Sequence, residues 1–225
     1  MIDLSGKRIL VTQANDFMGP ALCKGLSGFG ATVVSDNRAP LAPHDPAEIV
    51  AAAGAIDAMV INLAIPAPST AVGEVDETEW RRVFAALVDP LPRFVRAAMP
   101  GLKLRGGGKI VVMGSASALK GMKRASTYSA ARGAQLAFVQ AAGVELAADK
   151  IHLNAVAQNF VDNPTYFPPE VQANPKFQDR LRREVPLGRL VTAHEDAGLV
   201  AYLCSDLASC YVGQVFPMSG GWAVR

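Results

Sequence analysis

The chain has 225 residues, a formal net charge of +2 and 50% hydrophobic residues, which against about 150 residues per domain reads as a single domain, 1–225, with a sizeable core. So small a cationic surplus excludes the basic face that nucleic-acid binding needs, and the apolar stretches fall short of the roughly 18 residues of a membrane span. Cys23, Cys204 and Cys210 are odd in number and carry no CxxC, so they read as thiols of a reducing cytosol rather than a disulfide framework or zinc site.

The N-terminus MIDLSGKRILV has no long apolar core, so it is not a signal peptide and the expected location is cytoplasmic. In chain order the sequence predicts a strand at Arg8–Thr12, a helix at Gly19–Phe29 and a strand at Ala31–Ser35. A Pro-rich stretch, Ala39–Pro46, is too short to separate domains, and a short helix follows at Pro46–Ala53. Next come a strand at Ala58–Asn62, a helical segment at Asp76–Met99 that Pro90 and Pro92 should kink or break, and a strand at Lys109–Met113. Helix Ser126–Lys150, strand Ile151–Ala157, helix Ala193–Cys204 opened by a Thr192/Glu195 capping box, and strand Gln214–Met218 complete the pattern. Asn159–Pro175, with four prolines and three aromatics, reads as an irregular loop over a pocket.

Alternating strands and helices imply a Rossmann-like, doubly wound parallel sheet in three α/β/α layers, with its ligand site at the carboxyl ends of the strands. Between Asp36 and Asp57 there are only about twenty residues, too few for an extra strand with its helices. The sheet should therefore lack the usual third strand.

Ser115 follows a strand, and Tyr128 and Arg132 share one helix face at i and i+4. A cation held beside a phenol favours the phenolate, and arginine keeps its charge under all working conditions. Such a tyrosine can act as general base, with Ser115 holding a substrate hydroxyl. Ser117 competes for that role, but its spacing to Tyr128 is two residues shorter. At the first strand–helix turn, Thr12-Gln13-Ala14-Asn15-Asp16-Phe17-Met18-Gly19 keeps one glycine where a dinucleotide site needs several. Asp36 stands where a ribose-binding acid would sit, and is read instead as a loop or N-cap acid.

The spacing S-x12-Y-x3-R resembles the short-chain dehydrogenase/reductase pattern with arginine in place of lysine. Joined to T-x4-F-x-G, it resembles the halohydrin dehalogenases, a cofactor-free branch of that superfamily. The likeness extends to Asn159-Phe160, Asn163–Pro168, Pro186–Leu190, Gly213–Phe216 and Gly220-Gly221. It implies reversible closure of a vicinal haloalcohol to an epoxide, with release of halide and a proton and no organic cofactor or metal. It also implies epoxide opening by small anions such as azide, cyanide and nitrite.

By the same resemblance Ser115, Tyr128 and Arg132 are catalytic, and the halide lies among Phe17, Gln158, Asn159, Phe160 and Val161. Ile65, Pro66, Leu119, Met122, Tyr166 and Phe167 would close a pocket for a small neutral substrate. Gln158 replaces the family's usual proline, and Leu63 stands where an aspartate is frequent. Assembly as a homotetramer through the two long helical segments is also implied. Two other readings stay open: a degenerate NAD(P)-dependent reductase, motivated by Asp36, and an inactive binding subunit, motivated by Gln158 and Leu63. His44, His152 and His194 share no face that would hold a metal.

Overall fold

The short β-branched runs become strands that are apolar on both sides because helices cover both faces of the sheet they form. The computed structural model describes residues 2–41 and 44–224; Ala42 and Pro43 of the Pro-rich stretch lie outside the described residues. The strands are β1 (Arg8–Val11), β2 (Thr32–Ser35), β3 (Ala58–Ile61), β4 (Gly108–Ser115), β5 (Ile151–Gln158) and β6 (Val215–Met218), all parallel, in the order β2-β1-β3-β4-β5-β6. β2 forms the edge beside β1, and no further strand lies between β2 and β3 among the described residues. The sheet therefore lacks the usual third strand, as expected.

Side chains alternate between two cores with the period of a strand. Ile9, Val11, Val60 and Val111 face the layer of α1 (Gly19–Gly28) and α8 (Ala193–Cys204), where they meet Leu22, Leu26 and Val200. Leu10, Met59, Ile61 and Val112 face the opposite layer, which holds α2 (Pro46–Ala53), α3 (Glu77–Leu87), α4 (Pro90–Leu104) and α5 (Ser126–Leu146). Ile49, Phe94 and Val139 supply that second core.

The predicted break at the prolines is present: α3 ends at Leu87, and Pro90 opens α4. α4 does not stop at Met99, however, but runs through Pro100 to Leu104, because Phe94, Ala98 and Leu102 continue one buried stripe across the lost N–H. α5 is shorter than predicted, giving way to a 3-10 turn at Ala147–Asp149 before left-handed Lys150. The stretch read as irregular contains α6 (Pro169–Gln172) and leads into α7 (Pro175–Glu184). The Thr192/Glu195 capping box is formed at the start of α8. Among the described residues no helix is long and apolar enough to cross a membrane.

Candidate active site

The strand order reverses between β1 and β3, where a doubly wound sheet offers a crevice to a nucleotide. Here protein groups fill it. Thr12 Oγ1 accepts from Asn62 N at 2.9 Å, and Asn62 Nδ2 donates to the carbonyls of Gln13 and Asp16 at 3.0 and 3.1 Å. Gln13 bridges to the loop after β3: its Oε1 accepts from Ala64 N at 3.1 Å and its Nε2 donates to Ala64 O at 3.2 Å. The amides of Ala14, Asp16 and Gly19 are spent on Asp36, Gln13 and Asp16 carbonyls. Gln13 and Phe17 have φ of 43° and 48°, left-handed values that normally favour glycine. The turn thus keeps a glycine-like backbone path while two side chains occupy the space that glycines would leave open.

Phe17 packs its ring 5.3 Å from that of Tyr166 across the mouth of a cavity. Asp36 is a loop acid whose carboxylate accepts from Arg38 N at 2.9 Å and pairs with the Arg38 guanidinium at 2.5 Å. These residues do not fit a dinucleotide. Its pyrophosphate would meet Gln13 rather than free amides, and its ribose would meet an acid already paired.

The cavity lies beside this turn, under the carboxyl ends of β3, β4 and β5, with a volume of about 330 Å³. It is lined by Ser115 from the end of β4 and by Tyr128 and Arg132 from α5. Ser115, 8% exposed, accepts from Ser117 N at 3.2 Å and shares a 3.0 Å hydrogen bond with the Ser117 hydroxyl. Ser117 therefore sets the direction of the Ser115 hydroxyl. The Arg132 guanidinium carbon sits 5.0 Å from the centroid of the Tyr128 ring. Arg132 is 6% exposed and is held by two neutral acceptors, Met113 O at 3.0 Å and Gln135 Oε1 at 2.9 Å. Its Nε has no partner, and among the described residues no carboxylate pairs with it. Gln135, fully buried, is tied in turn to Leu87 O at the end of α3.

Phe17, Gln158, Asn159, Phe160 and Val161, the expected halide residues, all line the same cavity. Their donors are distributed differently from expectation. Asn159 N donates to Met218 O at 3.0 Å and Phe160 N to Asn159 Oδ1 at 2.9 Å, so neither amide is open to an anion. The Gln158 amide turns to Asp196, donating to its Oδ2 at 2.7 Å. What remains is Asn159 Nδ2, whose contact is a 3.8 Å approach to Met122 Sδ, and Val161 N, which makes no backbone hydrogen bond among the described residues. Phe160 between them has φ of 51°.

Of the expected pocket residues, Ile65, Met122, Tyr166 and Phe167 line the cavity, and Pro66 and Leu119 do not. In the extended segment after β3, Ile65 and Ala67 turn inward and Pro66 outward. Leu119 packs against the core instead. Tyr166 accepts from Ala67 N at 3.0 Å and donates to Ile65 O at 3.4 Å. Burial first, and then the neighbouring Tyr128, push the Tyr166 phenol up to about 12, so it stays a protonated wall. Gln135, Asp196 and Arg180 join the site without belonging to any of its sequence motifs. Asp196 is fully buried with Oδ1 unpartnered, and burial pushes its carboxyl up to about 6 against the hydrogen bond from Gln158. Arg180 lines the cavity from α7. Among the described residues no group of three or more His, Cys, Asp or Glu side chains is placed to hold a metal.

Solved structures similar to the chain include one described as a dehalogenation enzyme, 32% identical, with a TM-score of 0.92 and coverage of 99% of this chain and 100% of that one. Another is a halohydrin dehalogenase bound to ethyl (2S)-oxiran-2-ylacetate, 27% identical, with a TM-score of 0.89 and coverage of 97% and 98%. Among curated proteins, the cis-4-hydroxycyclohexanecarboxylate dehydrogenase of Sinomonas cyclohexanicum is 32% identical over 75% of this chain and 66% of its own length. The 2-keto-3-deoxy-L-fuconate dehydrogenase of Xanthomonas campestris pv. campestris is 29% identical over 98% of this chain and 81% of its own length. The family model described as Enoyl-(Acyl carrier protein) reductase matches residues 46–223, and the chain belongs to that family, within the short-chain dehydrogenase/reductase superfamily.

Proposed function

We propose that the protein is a halohydrin dehalogenase, a lyase that interconverts a vicinal haloalcohol with an epoxide, halide and a proton without a nucleotide. One observation carries this reading: Gln13 and Phe17 close the nucleotide turn while Ser115, Tyr128 and Arg132 remain assembled on the adjoining cavity. The structural likeness to dehalogenating enzymes supports it.

Ser115, its lone pair oriented by Ser117, donates to the substrate oxygen, and Tyr128 as general base removes the hydroxyl proton. The buried cation Arg132, unshared with any acid, stands beside the Tyr128 ring as it does so. The oxygen's electron pair then attacks the neighbouring carbon, the C–O bond of the epoxide forms as the carbon–halogen bond breaks, and halide leaves with the bonding pair. Both reacting atoms belong to one molecule, so orientation replaces a bimolecular encounter. The halide rests between the Phe17 ring and the donors Asn159 Nδ2 and Val161 N, while Ile65, Met122, Tyr166 and Phe167 shape the substrate pocket. Tyr128 passes its proton to solvent. Assembly as a homotetramer belongs to the same reading, supported by exposed Val144 on α5 and Trp80 on α3.

Purified protein should release halide from a vicinal chloro- or bromo-alcohol with no nucleotide added, and Tyr128→Phe should abolish that release. Absence of halide across a panel of such alcohols, together with a nucleotide-dependent absorbance change on simple alcohols, would overturn the proposal in favour of a reductase.

A further inference from the structure

The charged side chains that line the cavity are Arg132 and Arg180, with no aspartate or glutamate among the lining residues. Arg132 serves Tyr128 from the buried end. Arg180 has no role in the reaction derived above, yet it packs against the cavity wall. Its guanidinium carbon lies 5.3 Å from the centroid of Phe160, which forms the cavity wall. Its Nε donates to Glu184 Oε2 at 3.1 Å. Glu184 also accepts from Arg183 at 3.3 Å, so one carboxylate is shared by two guanidiniums and a positive surplus remains. The cation–π approach to Phe160 and the Nε bond restrain Arg180, whose side chain is 46% exposed, and neither terminal nitrogen has a protein acceptor among the described residues. A planar guanidinium with its terminal pair left open matches a carboxylate in two parallel N–H···O bonds.

We propose that the substrate is an anionic haloalcohol or epoxy acid, whose carboxylate is bound by Arg180 while its hydroxyl or epoxide oxygen lies at Ser115 and Tyr128. This departs from the neutral substrate expected from the sequence, and it rests on the dehalogenase reading for the chemistry at the other end of the molecule. Arg180 is a specificity residue: it grips a group remote from the breaking bond. Its loss should therefore act through binding of the acid rather than through the chemical step.

The test compares 4-chloro-3-hydroxybutanoate with its neutral ethyl ester. Wild-type protein is expected to favour the acid by about tenfold or more in kcat/KM. In Arg180→Gln the acid-to-ester ratio should fall by about 10–100-fold, the range of a charge-assisted pair, mostly through KM of the acid. Arg180→Lys, which keeps the charge but not the fork, should recover part of the ratio. Calorimetric titration with unreactive 3-hydroxybutanoate and its ethyl ester supplies a second readout that needs no turnover. Binding of the acid alone, lost in Arg180→Gln, supports the carboxylate site.

Halide release with equal preference for acid and ester, or a ratio unchanged in Arg180→Gln, overturns the carboxylate site and leaves the dehalogenase reading standing. Selective binding of the acid without halide release from any haloalcohol overturns the dehalogenase reading instead. Failure of both overturns both.

Discussion

Gln135 has no route to the substrate, yet it fixes the group on which Tyr128 depends. It receives Arg132 Nη1 on its oxygen and gives its amide to Leu87 O, so both of its polar ends are used inside the core. Gln135→Met keeps the volume but leaves a buried guanidinium short of one acceptor and a buried carbonyl short of its donor, at a cost of about 1–3 kcal/mol for each orphaned group. Steady-state kinetics should show kcat falling about tenfold or more with KM within about twofold, as expected when positioning of Arg132 is lost rather than substrate binding. An unchanged kcat would remove Gln135 from the mechanism. Asp196 makes a different prediction. Its carboxyl is held at about 6, above the ordinary value of 3.8, by burial, so ionising it opposes the fold. The contribution is full below about pH 4 and is lost as pH rises through about 6, a loss of about 3 kcal/mol for that gap. Asp196→Asn should flatten this slope in urea unfolding measured between pH 4 and 7. A slope identical to that of the wild type would show that Asp196 does not cause it.

The first strand–helix turn is an element whose backbone and side chains obey different demands. Gly19 survives in the sequence because a Cβ there would lie 2.4 Å from Ala14 O and 2.6 Å from Gln13 O. Gly19→Ala should accordingly destabilise by more than about 3 kcal/mol, at the high end for single substitutions, whereas Gly101→Ala on the exposed face of α4, with open space around it, should stabilise by up to about 1 kcal/mol. Denaturant midpoints of the two variants should move in opposite directions. That turn was legible because a missing glycine is a local fact of the sequence. So were Ser115, Tyr128 and Arg132, since a strand end and an i,i+4 pair are written in neighbouring residues. α6 and α7 were not legible: Pro169 and Pro175 read as loop residues but occupy first-turn positions of helices, where proline's missing N–H costs nothing. Gln158 and Asp196, 38 residues apart, meet only once β5 and α8 are packed. The same applies to Arg180 over Phe160, whose contact depends on a helix that the prolines concealed.

At the scale of the whole molecule, the buried charge of Arg132 links anion binding to folding. A cation with no carboxylate partner is costly inside a protein, and an anion that enters only the folded cavity offsets that cost and raises stability by RT ln(1 + [L]/Kd). Bromide is the suitable probe, because it matches the leaving group without reacting. At ten times its Kd the gain is about 1.4 kcal/mol, or roughly 3–6 °C in Tm for a domain of this size. Salts also act nonspecifically on protein surfaces, and some anions stabilise through exclusion alone. The shape of the dependence separates the two effects: site binding saturates with bromide at constant ionic strength, and a surface effect stays nearly linear. Asn159→Ala, which removes the side-chain donor left open beside Met122, should abolish the saturable part while leaving the linear part. NADH at millimolar concentration should leave Tm unmoved, because the turn that would cradle its pyrophosphate is closed by Gln13. A saturable rise with NADH and a merely linear response to bromide would reverse the assignment, placing the anion site back in the nucleotide turn.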